Sequence, residues 1–165
     1  MLDQAVMGKS FDEIAVGDAV TEIALPISYT KISGIVAATR DWFPGHHNPG
    51  YAQAQGRETI YANTMFFQAF LSRVALGWAG AAWFEQRRTL KMIKSVYPDD
   101  LLIGSGVVKS KSVDADGVQK IVLDMIGKTD GDVAISGELT LALPTHSQGL
   151  IENARQSAAA GAARS

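Results

Sequence analysis

The sequence contains no cysteine, no long run of apolar residues and no marked excess of charge of either sign. The lack of cysteine excludes a disulfide framework and thiolate metal sites, and it fits a reducing compartment, so we expect a cytoplasmic protein. No window reaches the roughly 18 apolar residues that a membrane span requires. The net charge of −2 gives no electrostatic footprint for nucleic acid or an acidic membrane. Residues 1–11 lack a basic region followed by an apolar run, so we expect no signal peptide.

The composition that is present indicates one globular domain with a substantial core. Of the 165 residues, 47% are hydrophobic and 19% are charged. We predict a domain over residues 1–145, followed by a tail over residues 146–165. The tail ends in an alanine-rich segment of low complexity, which we expect to be loosely held or helical against a partner.

The segment from Arg40 to Gly50 is the most unusual part of the chain, because it combines one acid with two histidines, two prolines and two glycines. Proline fixes φ and glycine permits backbone angles that other residues avoid, so we expect a fixed loop. Asp41 and His46 lie five positions apart in it. A carboxylate beside an imidazole is suited to general acid/base chemistry at neutral pH. If the two share a water molecule, their side chains must lie within about 5 Å of each other.

Apolar periodicity predicts the elements around this loop. We expect a strand over residues 19–29, a helix over 31–40 and a short helical segment over 50–56. The segment 60–79 is apolar on nearly every side, which is typical of a buried helix. Four runs rich in Ile, Val and Leu follow, separated by turn compositions such as Asp130-Gly131; they cover residues 82–96, 101–113, 117–129 and 132–143. The sequence therefore predicts an α+β fold of about five mostly antiparallel strands around one long helix.

Taken singly, the polar residues of the loop have simpler explanations as well. Asp41 could cap or turn the chain after a helix, and it is the pairing with His46 that favours chemistry. We interpret His47 as a supporting residue that forms a structural hydrogen bond. Adjacent histidines near an acid also suggest zinc, but no third ligand has a recognisable spacing, so we predict no metal. The basic residues between Arg87 and Lys94 form either a solvated face or a contact for phosphates.

The order of these motifs resembles a known family. Asp41-x4-His46, Asn63 at the start of the central helix and the turn Tyr97-Pro98-Asp99-Asp100 before a long strand resemble the MaoC-like dehydratases, which include the (R)-specific enoyl-CoA hydratases. The resemblance covers residues 10–143 and implies a hot-dog fold, in which a sheet curls around one helix. The family pattern is Gly-Asp-x-Asn-Pro-x-His, and here Arg40 and Phe43 replace the Gly and the Asn. The change at Phe43 removes a polar group that usually braces the loop.

A narrower resemblance adds segments that lie farther apart. Arg40-Asp41, His46-His47, residues 52–56, Asn63 and the segment Gly77-Trp78-Ala79-Gly80 together resemble the small subunit of steroid side-chain enoyl-CoA hydratases. Those subunits pair with a second MaoC-like chain. The resemblance therefore implies either a homodimer or a heteromer with another hot-dog chain.

The resemblance also implies a reaction, namely the addition of water across the α,β double bond of an acyl-CoA thioester, without a cofactor. Asp41 would activate the water, His46 would hold the same water, and the backbone N–H of Asn63 would stabilise the enolate oxygen. The family commonly has glycine at that position, but only the main chain is needed, so a side chain at Asn63 is tolerable if it points away.

Two alternatives to a hydratase stay open at this point. If Phe43 marks a decayed site, the chain is a noncatalytic or acyl-binding subunit of a heteromeric hydratase. Other hot-dog proteins hydrolyse acyl-CoA, so the second alternative is a thioesterase, against which the Asp41-x4-His46 loop argues.

Overall fold

The computed structural model describes residues 4–162 of the chain. Residues 1–3 of the N-terminal segment and residues 163–165 of the predicted tail lie outside the described residues. Two 3-10 turns occur, at Phe11–Glu13 and Pro44–His46. The helices and strands are α1 (Gln4–Met7), β1 (Ala19–Pro26), α2 (Tyr29–Thr39), α3 (Pro49–Ala54), α4 (Thr64–Ala79), β2 (Phe84–Arg88), β3 (Lys91–Met92), β4 (Leu101–Val113), β5 (Gln119–Thr129), β6 (Asp132–Leu143) and α5 (Thr145–Ala162).

The strands form one antiparallel sheet in the order β1-β4-β5-β6-β2, and β3 also pairs with β6. The predicted bounds of β4 and β6 agree with the structure. The run predicted as one strand over 82–96 is instead divided into β2 and β3. At the break, a Cβ atom on Gly137 would come within 2.2 Å of the Thr89 carbonyl oxygen. The chain therefore passes over the face of β6 at Thr89, and this interrupts the strand.

Helix α4 packs against the strands of this sheet and is the long buried helix that the sequence predicts. It begins at Thr64, next to the Asn63 that the sequence places at its start, because the Asn63 side chain accepts a hydrogen bond from the Phe66 N–H at 2.9 Å and so caps the helix there. A Cβ atom at Gly104 in β4 would lie 2.7 Å from the side chains of Phe70 and Val74, so glycine permits the close approach of helix and strand. The α+β prediction is confirmed.

Helix α5 covers residues that the sequence assigns to a tail. Its side chains Ile151 and Ala154 are buried and belong to the same hydrophobic cluster as α4 and the sheet. The helix also contacts α1. Within residues 4–162, none of the helices has the length and apolar character needed to cross a bilayer.

Candidate active site

The chain between α2 and α3 is shaped by its backbone. Helix α2 ends at Thr39, and Arg40 adopts the left-handed conformation with φ of 54°, which turns the chain sharply and places Asp41. Glycine is the residue that takes this conformation at least cost, which explains the family preference at this position. A Cβ atom on Gly45 would lie 2.7 Å from the Phe43 ring and from the Tyr61 hydroxyl. The loop is therefore held in one conformation by the left-handed backbone of Arg40 and by close packing at Gly45.

This loop brings the side chains of Asp41 and His46 together. Asp41 Oδ2 lies 3.5 Å from His46 Nε2, and the two side chains are 24% and 11% exposed. His46 Nδ1 lies 2.8 Å from the carbonyl oxygen of Tyr61. Because a carbonyl oxygen only accepts, Nδ1 carries the proton, and in the neutral ring Nε2 has a free lone pair that faces Asp41. The pair thus presents two hydrogen-bond acceptors to the same space.

Asn63 meets this pair from the N-terminus of α4, and its side chain is part of the site. The Nδ2 atom donates to Asp41 Oδ2 at 3.1 Å and to Thr39 Oγ1 at 2.9 Å. The side chain therefore does not point away, which is the condition under which the sequence made it tolerable. The residue is only 2% exposed, and a buried amide needs hydrogen-bond partners, which Asp41 and Thr39 supply. As the N-cap, its main-chain N–H lies at the positive end of the helix, where amides have no acceptor within the helix.

Phe43 and His47 stabilise the loop in different ways. The Phe43 ring packs edge-on against the rings of His46 and Tyr51, at centroid distances of 5.4 and 5.6 Å. His47 Nε2 lies 3.1 Å from the carbonyl oxygen of Trp42, and the side chain is otherwise exposed. Phe43 therefore fixes the imidazole of His46 by packing, while His47 forms a hydrogen bond within the loop.

A pocket of about 430 Å³ opens beside His46, whereas Asp41 is not among the residues that line it. Arg57, which no sequence pattern singled out, lies over the Tyr61 ring at 5.7 Å and has no carboxylate partner within the described part of the chain. Of the basic residues between Arg87 and Lys94, Arg88 is paired with Glu85 at 3.1 Å. The pocket is lined by His46, Arg57, Tyr61, Ala62, Thr64, Phe67, Met92, Ile93, Lys94 and Ser95.

Lys94 also has partners, since its Nζ lies 3.1 Å from Asp132 and 3.9 Å from Asp130. These contacts raise the pKa of the Lys94 ammonium, chiefly through the hydrogen bond to Asp132. Among residues 4–162, no three His, Cys, Asp or Glu side chains are grouped so that they could hold a metal ion. Arg57 is therefore the cation of this pocket that is most available to a bound anion.

The sequence matches no protein-family model and no curated protein. The fold, however, is similar to those of several solved structures. One is a chain of the ChsH1-ChsH2 complex from Mycobacterium tuberculosis, with 25% identity and a TM-score of 0.72; the match covers 79% of this chain and 98% of that one. Another is the (R)-hydratase from A. caviae involved in PHA biosynthesis, with 19% identity, a TM-score of 0.71 and the same coverage of 79% and 98%.

A third similar structure is the MaoC-like dehydratase from Rhodospirillum rubrum, with 16% identity and a TM-score of 0.72 over 82% of this chain and 97% of that one. In this chain the architecture is an antiparallel sheet packed against α4, with the Asp41–His46 loop beside the N-terminus of that helix. The chain therefore shares the hot-dog fold of these MaoC-like hydratases and dehydratases.

Proposed function

We propose that this chain is an enoyl-CoA hydratase that adds water across the α,β double bond of an acyl-CoA thioester. The observation that carries the proposal is the approach of Asp41 Oδ2 to His46 Nε2 at 3.5 Å beside an open pocket. A water molecule that donates one hydrogen to each acceptor keeps a lone pair on its oxygen free. That lone pair is the nucleophile that the reaction needs.

The chemistry follows from this arrangement. As the water oxygen bonds to Cβ, Asp41 accepts one of its protons, and the electrons of the double bond move onto the thioester oxygen to give an enolate. The Asp41–His46 pair then returns one proton to Cα, so that one water is consumed and neither side chain is changed overall. General acid/base catalysis of this kind contributes about 10²- to 10⁴-fold. Water and the thioester are the only reactants, so the proposed reaction uses no cofactor.

The enolate oxygen requires a donor, and the main-chain N–H of Asn63 is the candidate. Ala62 and Thr64, its neighbours in the chain, line the same pocket as His46. An amide at the N-terminus of a helix favours negative charge through its unpaired N–H and the helix dipole. One such donor contributes about 3 kcal/mol to lowering the barrier.

The pocket also supports an acyl-CoA substrate. Arg57 at its wall can bind a CoA phosphate, while Phe67, Met92 and Ile93 offer apolar surface to an acyl chain. The resemblance of the sequence to the small subunits of steroid side-chain hydratases makes a steroid enoyl-CoA the first substrate to test. A short enoyl thioester such as crotonyl-CoA is the comparison.

We further propose that this chain acts together with a second hot-dog chain, which is either a copy of itself or a MaoC-like partner. Three exposed apolar side chains support this, because Phe84, Met92 and Ile93 are 64%, 52% and 54% exposed on β2, on β3 and just beyond it. Met92 and Ile93 also line the pocket, so a chain that covers them narrows the pocket at the same time. One of the similar structures was solved as the ChsH1-ChsH2 complex, which fits this arrangement.

The test is a hydration assay on the chain purified alone and after co-expression with a second MaoC-like chain. Crotonyl-CoA and a steroid enoyl-CoA are added, and the loss of enoyl thioester absorbance is followed together with free thiol. We expect the absorbance to fall without release of CoA. Release of free CoA would favour a thioesterase, and binding without any change in absorbance would favour a noncatalytic subunit.

A further inference from the structure

We propose that the Asn63 side chain is a positioning residue for Asp41 and that Thr39 fixes the orientation of its amide. This inference rests on the proposed function, since it assigns the group that holds the base. It gives Asn63 a second role beside that of its main-chain N–H, and it gives Thr39 a role that no motif in the sequence suggests.

The orientation of the Asn63 amide is determined by its neighbours. The Phe66 N–H requires an acceptor, and it lies 2.9 Å from Asn63 Oδ1. The opposite side of the amide, Nδ2, therefore faces Thr39 and Asp41. Thr39 Oγ1 donates its own hydrogen to the Ile35 carbonyl at 2.7 Å, so towards Asn63 it can only accept. The three hydrogen bonds require the same orientation of the amide. A flipped amide would place Oδ1 against the Asp41 carboxylate and Nδ2 against the Phe66 N–H.

The amide is fully used in this arrangement. One Nδ2 hydrogen goes to Thr39 and the other to Asp41 Oδ2, while Oδ1 is engaged by the helix. Because Nδ2 is only a donor, it stabilises the ionised carboxylate of Asp41, which is the form that a base needs. Asn63 is 2% exposed, so water competes little with these bonds.

The hydrogen bonds of Asn63 take the place of the polar group that the loop lacks at Phe43. Phe43 occupies the position where the family pattern has Asn, and its ring packs against His46 rather than forming a hydrogen bond to Asp41. The donor to Asp41 comes instead from a residue 22 positions along the chain. The base and the proposed enolate donor are consequently both carried by Asn63, through its side chain and its main chain.

The test is Asn63→Asp, with Asn48→Asp as the matched control. Both residues cap a helix through Oδ1, at α4 and at α3, and Asp caps a helix as well as Asn does. Only at position 63 does the change replace a donor to Asp41 by a second carboxylate. We expect Asn63→Asp to lower kcat by about 100-fold with KM changed less than about threefold. The acidic limb of the kcat profile should move to higher pH, because a second carboxylate beside the base disfavours its ionised form. Asn48→Asp should change neither.

Two further variants keep the test decisive if Asn63→Asp folds poorly. Asn63→Ser retains a cap but cannot reach Asp41, and it should lower kcat about tenfold. Thr39→Val removes the acceptor for the amide and should lower kcat to a similar extent, and Thr39→Ser should recover most of that loss.

Wild-type kcat and pH profile in both Asn63 variants, with Asp41→Asn inactive, would overturn this proposal and leave the hydratase intact. An active Asp41→Asn would instead remove the proposed function itself.

Discussion

The loop from Arg40 to Gly50 and the N-terminus of α4 meet at the same pocket, but they hold their polar groups by different means. The loop depends on its backbone, with a left-handed residue at Arg40 and a glycine packed against rings at Gly45. Its side chains are partly open to solvent, and Phe43 is 44% exposed. The helix terminus depends on hydrogen bonds, since Asn63 is 2% exposed and engages three partners.

This difference shows where the site tolerates a change of residue. The shape of the loop is set by φ angles and packing, so the apolar Phe43 can stand in it without loss of the turn. The orientation of Asp41 is set from the helix, where a change of one donor has no substitute nearby. We therefore expect the loop to be most sensitive to substitutions that alter side-chain volume or backbone conformation. The N-terminus of α4 should be most sensitive to substitutions that remove a hydrogen-bond donor.

The largest effect on the loop is expected from Gly45→Ala. The added Cβ would lie 2.7 Å from the Phe43 ring and the Tyr61 hydroxyl, so the turn that carries His46 must shift. Overpacking of this kind costs about 1–3 kcal/mol of stability. A displacement of about 1 Å in a catalytic group lowers the rate by up to about 100-fold. Thermal unfolding and the hydration rate measure the two effects.

The control for this change is Gly50→Ala in the same loop. A Cβ there would meet only Asn48 Oδ1, at 3.5 Å, which is an ordinary contact. Since Gly50 lies in the first turn of α3, alanine should leave the rate unchanged and leave stability equal or slightly higher. Equal losses in both variants would show that the loop is not held by packing at Gly45.

An intermediate effect is expected from Arg57→Ala. If Arg57 binds a CoA phosphate, its loss should raise KM for a CoA thioester about tenfold, because hydrogen bonds to charged groups contribute about 1.5–3 kcal/mol. The matched substrate is the pantetheine thioester of the same acyl group, which lacks the nucleotide phosphates and should show no change. Steady-state kinetics with both substrates make the comparison. A similar rise in KM for both would assign Arg57 to the acyl or thioester end of the pocket.

The smallest effect is expected from Arg40→Gly, compared with Arg40→Ala. Both remove the same side chain, but only glycine relieves the left-handed backbone at φ of 54°. The cost of that conformation, about 1–2 kcal/mol, is partly offset by the backbone entropy of glycine, so the glycine variant should be more stable than the alanine variant by about 0.5 kcal/mol. Chemical denaturation measures the difference. An alanine variant that is the more stable of the two would contradict the backbone account.

The fold could be predicted from the sequence where local signals are strong. The bounds of β4 and β6 follow from alternating apolar runs and from turns such as Asp130-Gly131, in which Asp130 has a left-handed φ of 51°. The break between β2 and β3 could not be predicted, because it depends on a contact with Gly137 in another strand.

Some residues of the site could likewise be predicted from the sequence, and others could not. Spacing within one loop indicated Asp41 and His46, and the structure places them 3.5 Å apart. The role of the Asn63 side chain was missed because its contacts with Thr39 and Asp41 span more than 20 positions and follow from the packing of α4. The Asn63-Thr64 step before an apolar run was the one usable signal, since Asn is a common N-cap. Arg57 lies in a segment without periodicity, so nothing in the sequence selected it.

The central claim is that Asp41 activates water for addition to an enoyl thioester. The most direct measurement is the hydration rate of Asp41→Asn beside that of the wild type, in the same oligomeric state, with Asp116→Asn on an exposed turn as control. Asparagine can still accept from water and from Asn63 but cannot take up the proton, so we expect a loss of at least about 10²- to 10⁴-fold while the control stays active. A rate for Asp41→Asn that equals the wild-type rate would contradict the account.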